Sequence, residues 1–179
     1  MKNLYGKYGF MIWVTGVIVL LDQWTKWLIR SNLPSGATWL PDWLSWLSPY
    51  ARFVNWHNTG AAFGMFQGGS MIFTVLAFIV IGVIIYYFPQ VDQREWYLRT
   101  ALSMQLGGAI GNLADRLTQE GRVTDFISVG NFPVFNIADA SISVGTVVLL
   151  LGVYLQERAQ QRAIRSAGDS GQANEATIE

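Results

Sequence analysis

Three aspartates in one short stretch of the chain have the side chains and the surroundings that acid–base chemistry needs. The segment 107–140, GGAIGNLADRLTQEGRVTDFISVGNFPVFNIADA, contains Asp115, Asp125 and Asp139 beside long apolar runs. An ionised carboxylate is costly near the hydrocarbon of a bilayer, so acids at the ends of membrane helices are candidates for function.

Asp125 and Asp139 are the two that could act together. The segment between them contains Gly130 and Pro133, which allow the chain to bend and the two carboxyl groups to face each other. Two close carboxylates cannot both ionise cheaply, so the pair holds a single proton near neutrality. The ionised member can take a proton from water that attacks a peptide carbonyl, while the protonated member hydrogen-bonds the carbonyl oxygen. This chemistry needs no metal and no cofactor.

The same residues also fit purely structural roles. Asp139 could cap the fourth helix, Asp125 could cap a turn, and Asp115 could pair with its neighbour Arg116, since capping is the commonest task of an aspartate at a helix start. The residues alone leave this alternative open beside the catalytic one.

The composition places the chain among membrane proteins. Of its 179 residues, 51% are hydrophobic and only 13% are charged. Twelve basic and twelve acidic residues give no basic field for a nucleic acid, so a nucleic-acid partner is not expected. The absence of Cys excludes disulfides and thiolate catalysis, and one His leaves too few ligands for a zinc site, so no metal is predicted.

The apolar runs predict an all-α integral membrane protein with a single domain over 1–157. We expect four membrane helices, of which the run from Met71 to Phe88, about 27 Å long as a helix, matches the thickness of the hydrocarbon most closely. Beyond the domain, 158–179 is predicted to be a frayed helix end and a polar, disordered tail. The expected helices cover 8–29, 70–88, 96–116 and 136–156, and the loops on the extracytoplasmic side cover 30–69 and 117–135.

Polar residues are placed at the ends of these helices. Asp22 and Lys26 are four residues apart and can pair on one helical face, or Asp22 can anchor a polar cluster near the outer surface. In the third helix, Asn112, Asp115 and Arg116 lie within about one turn and can address one site. Before them, Gly107, Gly108, Ala109 and Gly111 make a smooth face for close helix packing.

The first loop contains three tryptophans at near-helical spacing: Trp39, Trp43 and Trp46. They fit a short helix over 41–48 on the membrane surface, and equally a small core within the loop. The following segment, 50–66, alternates like a strand and runs into a Gly/Ala-rich turn, a pattern compatible with a peptide-binding edge. His57, with no Ser or Cys nucleophile motif, is interpreted as a loop residue.

An even number of spans places both termini on one side of the membrane, and the positive residues indicate which side. Seven lie on the side of the termini and five on the other, so the termini are predicted to be cytoplasmic. The seven are Lys2, Lys7, Arg94, Arg99, Arg158, Arg162 and Arg165, and the five are Lys26, Arg30, Arg52, Arg116 and Arg122.

Four separated blocks of the chain resemble the lipoprotein signal peptidases (signal peptidase II, peptidase family A8), which are bacterial intramembrane aspartyl proteases. The blocks occur in the family's order and cover nearly all of the chain except the tail. They are DQWTKW from Asp22, NTGAAFG from Asn58, GGAIGNLADR from Gly107, and VTDF with FNIAD, which end at Asp125 and Asp139.

The resemblance implies a periplasm-facing site in the inner membrane, a first loop with a small β-structure and a surface helix, and Asp125 and Asp139 as the catalytic pair. It implies supporting or substrate-binding roles for six residues and structural roles for three. The six are Asn58, Gly60, Asn112, Arg116, Asn136 and Ala138, and the three are Asp22, Lys26 and Asp115. The implied partners are membrane lipid and prolipoproteins whose lipobox Cys bears diacylglycerol, cleaved on the amino side of that Cys.

Two other functions compete with this prediction. A small carrier or channel could use Asp22, Asp115 and Arg116 as an ion relay, although four spans without an evident repeat give little machinery for alternating access. A non-enzymatic membrane assembly factor would instead tolerate loss of either Asp125 or Asp139.

Overall fold

The fold is a bundle of helices with a small sheet at one end. A computed structural model describes residues 2–60 and 69–175. Within these residues, each of the four segments predicted to be helical is a helix, and three of the four extend beyond their predicted ends. The helices are α1 (Lys2–Asn32), α2 (Ser70–Tyr87), α3 (Trp96–Thr118) and α4 (Ile137–Glu175).

Three of these helices contain segments that are long and apolar enough to cross a membrane, among the described residues: Tyr8–Asn32, Ser70–Gln90 and Ile137–Arg158. The second segment includes a short 3-10 helix that follows α2, Phe88–Gln90. Helix α3 is less apolar because polar residues recur along it, and it lies inside the bundle, packed against α1, α2 and α4.

The glycines of α3 set how closely the other helices approach. A Cβ atom on Gly108 would lie 2.4 Å from the carbonyl oxygen of Ala138 on α4. A Cβ on Gly111 would lie 2.6 Å from Asp22 Oδ2 on α1. Neither contact leaves room for a side chain, which confirms the predicted smooth face of α3. The close approach brings the polar residues of α1 and α4 to the same end of α3.

The sheet joins the two long loops. Its strands are β1 (Thr38–Trp39), β2 (Ala51–Asn58) and β3 (Val123–Val129), in the order β1-β2-β3 and antiparallel throughout. The strand-like pattern that begins at residue 50 is therefore confirmed over β2. The Gly/Ala-rich part of the predicted peptide-binding edge, 61–66, lies outside the described residues. Residues Val123–Phe126 form the first half of β3.

The register of β2 on β3 determines which side chains meet. Trp56 lies opposite Asp125 and Asn58 lies opposite Val123, after a bulge between Phe53 and Trp56. Because opposite residues of an antiparallel pair share a face and residues two apart share a face, Asn58 and Asp125 are diagonal neighbours on one face.

The tryptophan-rich part of the first loop forms a 3-10 helix, Asp42–Leu47, where the sequence predicted a short helix over 41–48. Trp43 and Trp46 are exposed, at 76% and 68%, so these two residues do not form a small core within the loop. Trp39 stacks on Phe53 of the neighbouring strand, with ring centroids 6.0 Å apart.

The C-terminal segment differs from its prediction. Disorder was expected over most of 158–179, whereas α4 continues to Glu175. This segment contains no Pro, and seven of its first eight residues, 158–165, are Arg, Ala or Gln, which are strong helix formers. Because it continues an existing helix, no new nucleation step opposes it.

Candidate active site

A cavity of about 460 Å³ lies at the end of the bundle where α3 finishes and α4 begins. Its apolar walls include Phe73, Phe132, Phe135 and Ile142. The polar side chains on it include five that the sequence singled out, and Gly60 also lines it: Asn58, Asn112, Arg116, Asp125 and Asp139. The two candidate catalytic aspartates therefore face a common space large enough for a segment of peptide.

Asp125 lies within β3 and is 2% exposed. The amide of its diagonal neighbour Asn58 donates to Asp125 Oδ2 at 3.0 Å. The amide of Asn136 donates to Asp125 Oδ1 at 2.7 Å. Because Asp125 is part of a strand, the alternative that it caps a turn is wrong.

Asp139 lies in the first turn of α4. Asn112 on α3 donates its amide to Asp139 Oδ1 at 2.7 Å. The backbone N–H of Asn136 donates to Asp139 Oδ2 at 3.2 Å, and Asn136 Oδ1 accepts the backbone N–H of Asp139 at 2.9 Å. This reciprocal pair is a helix cap, so Asp139 has the predicted capping role and also lies on the cavity.

Asn136 connects the two carboxylates. Its side-chain amide donates to Asp125 while its backbone N–H donates to Asp139. The same amide also donates to Asn112 Oδ1 at 3.1 Å, which orients the amide that serves Asp139. Among the described residues, neither Asp125 nor Asp139 has a cationic nitrogen within 4.0 Å. Both carboxylates are therefore held by neutral donors.

This environment changes the acidity of Asp125. Burial raises the pKa of its carboxyl group to about 7, and the nearby carboxylate of Asp139 adds to that rise. The amides of Asn58 and Asn136 and the more distant charge of Lys26 oppose it. A carboxyl group with this pKa can hold or release a proton near neutral pH.

Arg116 lies on the cavity. The alternative in which Asp115 pairs with Arg116 is wrong, because Asp115 pairs with Lys26 and Arg30. Its guanidinium carbon lies 5.6 Å from the centre of the Phe73 ring on α2. The side chain is half-buried and is a wall of the cavity. It thus offers a positive charge beside the aspartates without an ion pair to either of them.

Asp115 belongs instead to a buried charge cluster, which we define as Asp22, Lys26, Arg30 and Asp115. Lys26 Nζ lies 2.9 Å from Asp22 Oδ2 and 3.3 Å from Asp115 Oδ2. Arg30 lies 3.3 Å from Asp115 Oδ1. Lys26 and both carboxylates are fully buried. The predicted pairing of Asp22 with Lys26 is confirmed, and it is part of the predicted polar cluster.

The cluster holds the elements of the site together. Asp22 Oδ1 accepts the backbone N–H of Ala138 on α4 at 3.0 Å, and Asp115 Oδ2 accepts the backbone N–H of Thr124 on β3 at 2.8 Å. Lys26 Nζ donates to Asn112 Oδ1 at 3.1 Å. The cluster therefore positions the residue before each candidate catalytic aspartate.

Three residues of this network were not singled out from the sequence: Gln23, Arg30 and Thr124. Gln23 donates to Asp22, to Asp115 and to the carbonyl oxygen of Gly111. Arg30 donates to Thr124 Oγ1 at 3.0 Å. A signal for Arg30 was present, since it follows Lys26 by four residues and lies on the same helical face. Nothing local marks Gln23 or Thr124.

The remaining predicted residues lie at the edge of the site. The backbone N–H of Gly60 donates to Asn58 Oδ1 at 2.9 Å, which fixes the orientation of the amide facing Asp125. His57, interpreted from the sequence as a loop residue, lies instead in β2, because that part of the first loop pairs with β3, and its Nδ1 lies 3.2 Å from Ser35 Oγ.

Comparisons with known proteins agree on one family. The family model described as signal peptidase (SPase) II matches residues 14–155. The chain is 39% identical over 150 residues to a lipoprotein signal peptidase of Shouchella clausii, which covers 83% of this chain and 95% of that protein. It is 40% identical over 148 residues to a lipoprotein signal peptidase of Symbiobacterium thermophilum, with 79% and 92% covered.

The fold is also found among solved structures. A bacterial membrane enzyme superposes with a TM-score of 0.74 at 28% identity and covers 83% of this chain and 90% of its own. A second structure of a bacterial membrane enzyme gives a TM-score of 0.70, also at 28% identity. The region matched by the family model, 14–155, contains both carboxylates of the cavity and the whole charge cluster. The chain therefore belongs to the signal peptidase II family, the lipoprotein signal peptidases.

Proposed function

We propose that the protein is an aspartic endopeptidase of the bacterial inner membrane that removes signal peptides from diacylglyceryl-modified prolipoproteins. The bond cleaved is the one on the amino side of the lipidated lipobox Cys. Family membership supports the peptidase activity, and the relatives' name, lipoprotein signal peptidase, supports the substrate class. One observation carries the mechanism: Asp125 and Asp139 line one cavity, share Asn136 as a donor and lack a cationic partner among the described residues.

The environments of the two aspartates suggest which one holds the proton. Asp139 lies in the first turn of a long helix and accepts a backbone N–H there, and this position favours negative charge. Asp125 is held on a strand by side-chain amides, and its pKa is raised to about 7. In the resting enzyme Asp139 is accordingly the ionised base and Asp125 is the protonated acid.

Hydrolysis then follows with all protons accounted for. Asp139 takes a proton from water as the water oxygen attacks the carbonyl carbon, and Asp125 gives its proton to the carbonyl oxygen. The tetrahedral intermediate returns that proton to Asp125 as the C–N bond breaks, and the amino nitrogen of the Cys takes the proton held by Asp139. The pair ends with one proton, as it began.

The neutral residues and Arg116 position this chemistry. Asn58, Asn112 and Asn136 donate to the carboxylates and so keep each aspartate in place without fixing its charge as a cation would. Arg116 faces the cavity with its donors and can bind backbone carbonyl oxygens of the substrate.

The helices support four spans with both termini in the cytoplasm and the cavity near the outer leaflet. Helix α3 is long enough to span, and its polar residues Ser103, Asn112 and Asp115 are buried in the bundle, as expected for polar groups within a membrane. The excess of positive residues on the side of the termini gives the orientation. At this depth the enzyme can meet a lipidated Cys, whose acyl chains are anchored in the bilayer while water reaches the bond from above.

The test is an assay of the purified full chain in detergent with a diacylglyceryl prolipoprotein and with its unlipidated precursor. We expect cleavage of the lipidated form only, and loss of cleavage in Asp125→Asn and in Asp139→Asn although both variants remain folded. Cleavage of both forms at equal rates would refute the substrate class. Full activity in either variant would refute the mechanism.

A further inference from the structure

A second groove continues from the candidate active site along the bundle. It has a volume of about 360 Å³ and lies between α2, α3 and α4. Four residues line both spaces: Phe73, Asn112, Arg116 and Ile142. The groove thus extends the active-site cavity toward the apolar interior, where its walls include Ala77 and Val80 of α2.

Beyond Asn112 and Arg116, two further polar side chains line this groove, Gln105 and Thr146. Gln105 of α3 donates from Nε2 to Thr146 Oγ1 of α4 at 3.2 Å, and Thr146 in turn donates to the carbonyl oxygen of Ile142 at 2.8 Å. In the part of the chain that the structure describes, the side-chain carbonyl oxygen of Gln105 accepts no hydrogen bond. Gln105 is half-buried, so this oxygen is open to the groove, and within a membrane, where water is scarce, a ligand in the groove would supply the donor.

The distance of Gln105 from the aspartates indicates which part of a substrate could donate a hydrogen bond to its side-chain oxygen. Gln105 precedes Asn112 by seven residues, about 10 Å along a helix. An extended peptide covers that distance in about three residues. The peptide immediately before the cleaved bond must be unwound to expose that bond, and its free N–H groups need acceptors because the bilayer interior supplies none.

We propose that this groove binds the extended apolar end of the signal peptide, and that Gln105 accepts the backbone N–H about three residues before the cleaved bond. The proposal rests on the proposed function. Continuity of the groove with the cavity makes it a path for the substrate, and the unpaired acceptor favours a peptide over an acyl chain, which has no donor. Gln105 is thereby a substrate-positioning residue and takes no part in the proton transfers.

The experiment compares wild-type protein with Gln105→Leu on two lipidated peptides that differ in one backbone atom. In the second peptide, the backbone N–H of the third residue before the cleaved bond is replaced by an ester oxygen. This change removes the hydrogen-bond donor proposed to contact Gln105. On the normal peptide, Gln105→Leu is expected to raise KM about two- to tenfold, the usual effect of one hydrogen bond, with kcat nearly unchanged. On the ester peptide, the two proteins are expected to have equal KM.

Thr100→Val is the matched control, since its hydroxyl donates to the carbonyl oxygen of Trp96 on the same helix and lies outside the groove. It should leave both KM values unchanged. Two more peptides carry the ester at the second or the fourth residue before the bond. If the rise in KM caused by Gln105→Leu disappears on any one of the three ester peptides, the proposal is supported. An unchanged KM in Gln105→Leu, or an equal rise on all peptides, overturns it. Failure of wild-type protein to cleave any lipidated peptide would instead count against the proposed function.

Discussion

Two groups of carboxylates lie side by side in this molecule, joined through Asn112, and their negative charges are balanced by different kinds of partner. In the charge cluster, Asp22 and Asp115 contact the ammonium group of Lys26. In the cavity, Asp125 and Asp139 contact amides and a backbone N–H.

The type of compensation separates structural acids from reactive ones. Removal of a carboxylate beside a buried cation leaves a charge that the interior cannot solvate. A carboxylate that is buried among neutral donors, with a second acid nearby, has a raised pKa, as Asp125 does. The first arrangement stabilises the site, and the second can exchange protons. The following variants would sharpen or break this distinction.

The largest contrast is expected between Asp139→Asn and Asp115→Asn. Asp139→Asn removes the proposed base, so activity on a lipidated precursor should fall by about a thousandfold or more, while the thermal unfolding midpoint in detergent is retained. Asp115→Asn should lower that midpoint and leave measurable activity in the protein that remains folded. The reverse pattern would break the distinction.

The next effect concerns the two cations near the site. Lys26→Met leaves the cluster with an uncompensated carboxylate, so we expect a loss of about 3–5 kcal/mol in the free energy of unfolding. Arg116→Met is the matched comparison, because Arg116 contacts Phe73 and the cavity but no carboxylate within 4.0 Å in the described chain. It should raise KM with little change in stability. Equal destabilisation in both variants, measured by thermal unfolding in detergent, would contradict the assignment of Lys26 to the cluster.

The raised pKa of Asp125 gives a smaller effect that depends on pH. Because the folded protein holds this proton more tightly than the unfolded chain, Asp125 costs no stability below about pH 4 and destabilises progressively as the pH rises toward 7. Asp125→Asn removes that cost, so its unfolding midpoint relative to wild-type should be higher at pH 8 than at pH 5. A difference of about 3 pKa units corresponds to a few kcal/mol at most. The same relative midpoint at both pH values would refute the raised pKa.

The smallest predicted change concerns Asn58, whose amide lowers the pKa of Asp125. Asn58→Ala should move the alkaline limb of the pH–rate profile upward and lower kcat by about threefold to tenfold. Thr59→Ala is a nearby control on the same loop, since in the described part of the chain Thr59 makes no hydrogen bond to Asp125 or Asp139. An alkaline limb that shifts downward or stays in place would show that Asn58 does not act through Asp125.

The sequence predicted the helices and the residues of both groups, because long apolar runs and acids at their ends are local signals. It predicted the pairing of Asp22 with Lys26, which are four residues apart on one helix, but it did not predict the partners of Asp115. Asp115 was expected beside Arg116 as one alternative, yet the fold turns Asp115 toward Lys26 and Arg30 on another helix. Adjacent residues on a helix point in different directions, so sequence proximity is a poor guide to ion pairing.

Other features depended on contacts between distant segments. The pairing of β2 with β3 sets Asn58 diagonal to Asp125, and neither strand contains a signal for that register. The extent of α4 beyond residue 158 was missed because polarity was interpreted as disorder, although the segment contains strong helix formers.

The most direct test of the central claim, that two carboxylates held by neutral donors share one proton, is the pH dependence of kcat/KM on a diacylglyceryl prolipoprotein. We expect an alkaline limb with an apparent pKa near 7, above which kcat/KM falls about tenfold per pH unit as Asp125 loses its proton. A profile that stays flat from pH 5 to about pH 9 would contradict it.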